Sequence, residues 1–165
     1  MAPSDTTVQI RRAPALSRPE IHSLNAGFET AHPSRIIRWA VNTFGSNLAL
    51  ATSFSDTLLV DLALQVDPDI EVVFLDTGFH FAETLDVLRR AQVRYEMNLR
   101  VERPDPATAD LWASGTDACC AARKVAPLDQ ALSGKTAWLS GMRRADSRKV
   151  KEVKKRKGRK KEREG

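Results

Sequence analysis

Cysteine is nearly missing from this sequence: 165 residues carry two, Cys119 and Cys120, and they are neighbours. A disulfide framework is thereby excluded, because a bridge between adjacent cysteines strains the peptide that joins them. Long apolar runs are missing as well. No stretch approaches the length of a membrane-spanning helix, and no apolar segment opens the chain as a signal peptide would. A cytoplasmic protein is the expectation. A Gly-rich phosphate loop of the Walker kind is also absent, with only 8 glycines, scattered along the chain.

Acidic residues are scarce in one place only. From Arg143 to Gly165 there are 13 Lys and Arg against 4 Asp and Glu, whereas Met1 to Met142 has 13 basic and 17 acidic residues. The overall charge of +5 therefore comes from the tail, and the rest is mildly acidic. Three segments follow from this composition. Residues 1–16 lack periodicity and read as a mobile leader, residues 17–147 as one folded domain, and residues 148–165 as a solvated helix or disordered tail. Nucleic-acid binding by the tail through phosphates is the weaker reading, since it leaves the rest of the chain unexplained.

What is present alternates between strand and helix. Ser17 and Glu20 have capping-box spacing and predict a first helix to about Glu29. A second helix from Pro33 or Ser34 turns Ile36, Ile37, Ala40, Val41 and Phe44 inward and stops at Gly45. Residues 47–52 predict a strand, followed by the hydroxyl-rich loop Ser53, Phe54, Ser55, Asp56 and a helix with Leu58, Leu59, Leu62, Ala63 and Val66 as its apolar positions. Residues 70–75 form the clearest buried strand, ending in Asp76, Thr77, Gly78, Phe79 and His80. The next helix runs from Phe81 to about Arg94 with Leu85, Leu88 and Ala91 inward, and residues 98–101 give a short strand. A loop with one helical turn covers 104–115, a helix capped by Asp117 runs to Leu132, and residues 136–140 form a fourth strand before Gly141, Met142, Arg143 and Arg144.

Four alternations predict an α/β fold with a mainly parallel sheet. Ligands of such sheets bind beyond the carboxyl ends of the strands. Three polar blocks sit there: residues 53–56, 75–78 and 141–144. Helix N-termini after such loops offer backbone N–H groups to an anion, although Ser and Thr often do no more than cap the helix. Arg143 and Arg144 suit oxyanions through bidentate pairing, with at least one of them expected simply to cap a strand end. Cys119 and Cys120, beside the fixed cations Arg123 and Lys124, are placed to act as soft metal ligands; the plainer reading is two small buried hydrophobes.

Three blocks carry a resemblance to a known family. Residues 73–84, VFLDTGFHFAET, are similar to the LDTG-x-x-F-x-E-T block of assimilatory sulfonucleotide reductases. Residues 119–128, CCAARKVAPL, resemble their C-C-x-x-R-K-V-x-P-L block, and residues 138–147, WLSGMRRADS, their W-[IVL]-[ST]-G-[LM]-R-R-x-x-S block. The resemblance covers roughly Ser34 to Ser147. It implies a parallel-sheet fold of the adenine-nucleotide alpha-hydrolase kind, as in the 3′-phosphoadenosine 5′-phosphosulfate (PAPS) reductases, incomplete at the C-terminus.

The implied activity is reduction of adenosine 5′-phosphosulfate (APS) to sulfite and AMP with thioredoxin as reductant. The adjacent cysteines point to the branch in which they supply two of the four ligands of a [4Fe-4S] cluster. Use of PAPS, or nucleotide binding without reduction, is the alternative. The resemblance assigns Ser53, Ser55, Asp56, Asp76, Thr77, Gly78, His80, Lys124, Arg143 and Arg144 to the substrate, with Lys124 between substrate and cluster. His80 is equally readable as a structural histidine, and Lys124 as a surface lysine. The family's nucleophilic cysteine and second cysteine pair have no counterpart in these 165 residues, which predicts a truncated chain without reductase activity of its own. An adenylylating enzyme of the ATP-pyrophosphatase kind is disfavoured, because residues 52–56 lack the double glycine of its first loop.

Overall fold

Strand β1 (Leu48–Thr52) organises the sheet, because it pairs in parallel with β2 (Glu71–Leu75) on one side and with β4 (Ala137–Ser140) on the other. In the computed structural model, which describes residues 16–108 and 115–142, β3 (Leu99–Glu102) adds in parallel to β2, giving the order β3-β2-β1-β4. The expected mainly parallel sheet is thus parallel throughout its four described strands. The chain steps outward from β1 to β3 and then returns to the far side of β1 with β4. That reversal makes a topological switch point between β1 and β4, where open α/β sheets bind their ligands.

Alternation along the strands sorts the core into two layers. Leu48, Leu50, Val72 and Phe74 face one side, against Ile37 and Ala40 of α2 (Pro33–Phe44), Val60, Ala63 and Leu64 of α3 (Leu58–Val66), and Leu88 and Ala91 of α4 (Ala82–Tyr95). Ala49 and Val73 face the other side, where Ala131 of α6 (Ala126–Leu132) covers them. Beside that smaller layer Glu71 binds Lys135 at 2.5 Å and Arg100 at 3.6 Å, while Lys135 also donates to the Ser46 carbonyl at 2.9 Å. This polar clamp fastens the start of β2 to the turn before β4.

One inward assignment is corrected: Leu85, in the first turn of α4, is 37% exposed, whereas Leu88 and Ala91 are buried as expected. Leu58, an apolar position at the start of α3, is 61% exposed. In α3 the inward face is Val60, Ala63 and Leu64, with Leu59, Leu62 and Val66 packed at its margin. The expected leader and tail, and the loop at 109–114, fall outside the described residues.

Helix α1 (Arg18–Phe28) has the expected capping box: the Glu20 carboxylate accepts from Ser17 N at 2.7 Å and from Ser17 Oγ at 2.6 Å. The Ser17 side-chain bond, then the backbone bond, holds the Glu20 pKa below its ordinary value. A depressed carboxyl contributes stability above its unfolded pKa and loses it as pH falls through the folded value. Acidification is therefore expected to fray the start of α1 before the sheet unfolds, seen as loss of the Ser17 amide's hydrogen-bonded NMR shift. A Glu20→Gln variant should abolish that titration.

Candidate functional site: one cavity at the switch point

The loop after β1 is shaped by one buried aromatic. Phe54 takes a left-handed backbone (φ 53°), which is uncommon for a bulky residue, and it is 1% exposed. Its ring packs edge-on against Phe74 at 5.7 Å, and its N–H donates to Thr52 Oγ1 at 3.2 Å. Burying Phe54 leaves its neighbours Ser53 and Ser55 at the surface with their hydroxyls 2.9 Å apart. Asp56 then accepts from Leu58 N at 2.7 Å and closes the first turn of α3.

The turn after β2 is built on Gly78 (φ 75°), a conformation that a side chain would strain. Asp76 accepts from Gly78 N at 3.1 Å and pairs with Arg103 at 3.2 Å. Thr77 is buried, and its Oγ1 accepts from Phe79 N at 3.3 Å. His80 bonds the Leu75 carbonyl through Nε2 at 2.8 Å and lies against the Phe74 ring at 4.8 Å. The Thr77 N–H also approaches Nε2, at 3.4 Å, so one ring nitrogen ties His80 to both ends of the turn. His80 is thereby held by the fold, and it also borders the cavity.

The cysteine-bearing helix is wound unevenly. A short segment, α5 (Thr116–Cys120), leads through a π-turn at Ala121–Val125 into α6. Pro127 accounts for the wide turn, since it has no N–H for the Arg123 carbonyl and its ring would crowd that carbonyl in a regular helix. Asp117 is not the cap: Gly115 (φ 96°) holds that position and Asp117 sits inside the first turn. A residue with positive φ and no side chain makes the sharper entry here. Both cysteines are free, Cys119 buried and Cys120 partly exposed.

These loops and the helix enclose a cavity of about 1060 Å³ at the carboxyl ends of β1, β2 and β4. Of the residues expected from the sequence, Ser53, Ser55, Asp56, Thr77, His80, Cys119, Cys120 and Lys124 border it. Asp76 and Gly78 shape the turn and do not line the cavity. Arg143 and Arg144 lie outside the described residues, and Gly141 and Met142 carry the lining up to them. Sequence reasoning missed the apolar wall: Leu59, Leu75, Phe79, Leu128 and Trp138. Phe79 and Trp138 stood inside quoted motifs, and their exposure (58% and 45%) shows they are not core residues.

The volume suits a nucleotide-sized ligand, and the lining combines hydroxyls and a lysine with apolar surface. A parallel α/β sheet with its cavity at the switch point defines the class: an open α/β domain that takes its ligand beyond the carboxyl ends of the strands. Residues 47–163 match the phosphoadenosine phosphosulfate reductase domain, and the chain belongs to that family. It is 38% identical to the adenosine 5′-phosphosulfate reductase of Mycobacteroides abscessus over 74% of this chain and 55% of that protein. With adenosine 5′-phosphosulfate reductase 1 of Bacillus subtilis the identity is 41%, over 66% of this chain and 52% of the relative. Among solved structures, phosphoadenylyl-sulfate reductase from Candida auris, in a phosphate complex, superposes with a TM-score of 0.70 at 28% identity, covering 79% of this chain and 70% of that one. The chain spans about half the length of the curated relatives it matches.

Proposed function

We propose that the cavity binds adenosine 5′-phosphosulfate and that the protein serves its reduction to sulfite and AMP, with thioredoxin as reductant, in cytoplasmic sulfate assimilation. The observation that carries this reading is convergence: the hydroxyl loop, the Thr77 turn, the adjacent cysteines and Lys124 border one cavity. Lys124, exposed at the cavity, is assigned to the sulfate or phosphate as a point charge, and Ser53 and Ser55 to its oxygens as donors. Phe79 and Trp138 offer apolar surface to the adenosine. Arg143 and Arg144 remain assigned to the oxyanions, and Asp76 and Gly78 to shaping the turn that borders them.

The proposed reduction runs through a thiolate that attacks the sulfonyl sulfur. The S–O bond to AMP breaks, AMP leaves, and a protein S-sulfonate remains. A thioredoxin dithiol then releases sulfite and becomes the disulfide, supplying the two electrons. These 165 residues carry no thiol besides Cys119 and Cys120. A [4Fe-4S] cluster needs four thiolates, and among the described residues no group of three or more His, Cys, Asp or Glu converges on a metal-sized site. The donor set on this chain does not complete the cluster, so no step is routed through it. Cys119 and Cys120 are assigned as half of such a set.

The second reading is the 3′-phosphorylated nucleotide, which the Candida auris likeness favours. The names of the bacterial relatives favour APS. Calorimetric titration of the 165-residue chain with APS, PAPS and AMP decides between them. APS should bind at least as tightly as PAPS, and no sulfite should appear when thioredoxin is added. Tighter binding of PAPS would overturn the choice of substrate, and sulfite release would show that Cys119 or Cys120 is itself the nucleophile.

A further inference from the structure

We infer that Arg123 is a positioning residue that locks the cysteine-bearing helix to the Thr77 turn and so sets the shape of the cavity between them. Its guanidinium donates through Nη1 to the Thr77 carbonyl at 3.0 Å and through Nη2 to the Thr108 carbonyl at 3.5 Å. The same group lies over the Phe79 ring, 4.5 Å from its centroid. One side chain thus joins three separate segments: the π-turn, the turn after β2, and the 3₁₀ turn after β3. Only a planar fork with several donors meets two carbonyls and a ring face together; a lysine's single ammonium does not.

The neighbouring residues are cut to fit this arrangement. Gly78 lies beside the guanidinium, where a Cβ would make only an ordinary contact 3.5 Å from Nη1, and it is the φ of 75° that disfavours a side chain there. The π-turn sets the position of Arg123 on the helix, and Pro127 is what prevents the regular winding that would rotate it. Cys119 lies one helical turn before Arg123, so the lock that holds the turn also holds the buried thiol in register with it. Arg123 thereby acts through Thr77 and Phe79 on whatever occupies the cavity. The nucleotide reading above supplies the ligand, whereas the lock itself does not depend on that reading.

The test compares the 165-residue chain with its R123A and R123K forms by amide hydrogen exchange, by iodoacetamide alkylation of Cys119, and by AMP titration. With R123A, exchange at the 77–80 amides and alkylation of Cys119 should each rise about tenfold, a loss of ~1.4 kcal/mol of local protection. Amides of β1 and β2 should keep their rates. R123K should restore less than half of the effect, and AMP affinity should fall severalfold in both variants. Unchanged local exchange in R123A, full rescue by R123K, or acceleration spread evenly over the sheet would each overturn the proposal. If R123A does not fold, Phe79→Leu carries the test by removing the ring face alone. About threefold faster exchange at residues 77–78 supports the lock, and no change refutes it. A chain that binds no AMP but shows the localised exchange keeps the lock and loses only the nucleotide reading.

Discussion

Replacing Phe74 by alanine is expected to cost about 3–5 kcal/mol of folding stability, the range for deleting a fully buried aromatic ring. Phe74 is 0% exposed near the carboxyl end of β2 and touches residues of both cavity loops. Its ring supports Phe54 at 5.7 Å, which holds the loop after β1, and His80 at 4.8 Å, which closes the turn after β2. Two effects should therefore separate. Phe74→Leu keeps most of the volume and should cost only roughly 1 kcal/mol, yet it removes the ring faces on which Phe54 and His80 rest. Urea melts should show the small stability loss, and nucleotide titration a disproportionate fall in affinity. Equal affinity in Phe74→Leu and the parent chain would show that the loops hold their shape without the ring.

The second large effect concerns Lys124. It is the one lysine bordering the cavity among the described residues, and it is exposed there with Cys120 one helical turn before it. A charged hydrogen bond to a sulfate or phosphate oxygen contributes about 1.5–3 kcal/mol. Lys124→Ala should then weaken APS binding roughly 10- to 100-fold, with no change in melting temperature because the side chain anchors nothing in the fold. Raising salt should weaken binding to the parent chain and have less effect on the variant. An unchanged dissociation constant in Lys124→Ala would place the anion elsewhere, with Arg143 and Arg144 the next residues to replace.

The order of strands and loops was legible because each polar block follows an apolar strand, and parallel strands carry all such blocks to one edge. Residues 53–56, 75–78 and 141–142 meet there for that reason alone. Helix ends were legible where a side chain makes the cap, as at Ser17 with Glu20, and misread where backbone conformation makes it. Gly115 rather than Asp117 opens the cysteine helix, because a positive φ leaves no pattern of polar side chains to follow. Leu85 was misassigned because periodicity names a helix face but not how deeply each turn of that face is covered. The lock made by Arg123 was not legible at all. Its partners, the carbonyls of Thr77 and Thr108, lie 46 and 15 residues away and carry no side-chain signature.

The central claim is that these loops form one sulfonucleotide site, and backbone NMR of the labelled 165-residue chain during APS addition tests it most directly. Shifts should saturate with one nucleotide per chain and concentrate in residues 52–56, 77–80 and 138–142, with a further set at 119–124. The outer face of α4, where Asp86 pairs with Arg90 at 2.5 Å, should stay silent. Perturbations that avoid the cavity, or that fall only on the Lys- and Arg-rich residues 148–165, would contradict the account.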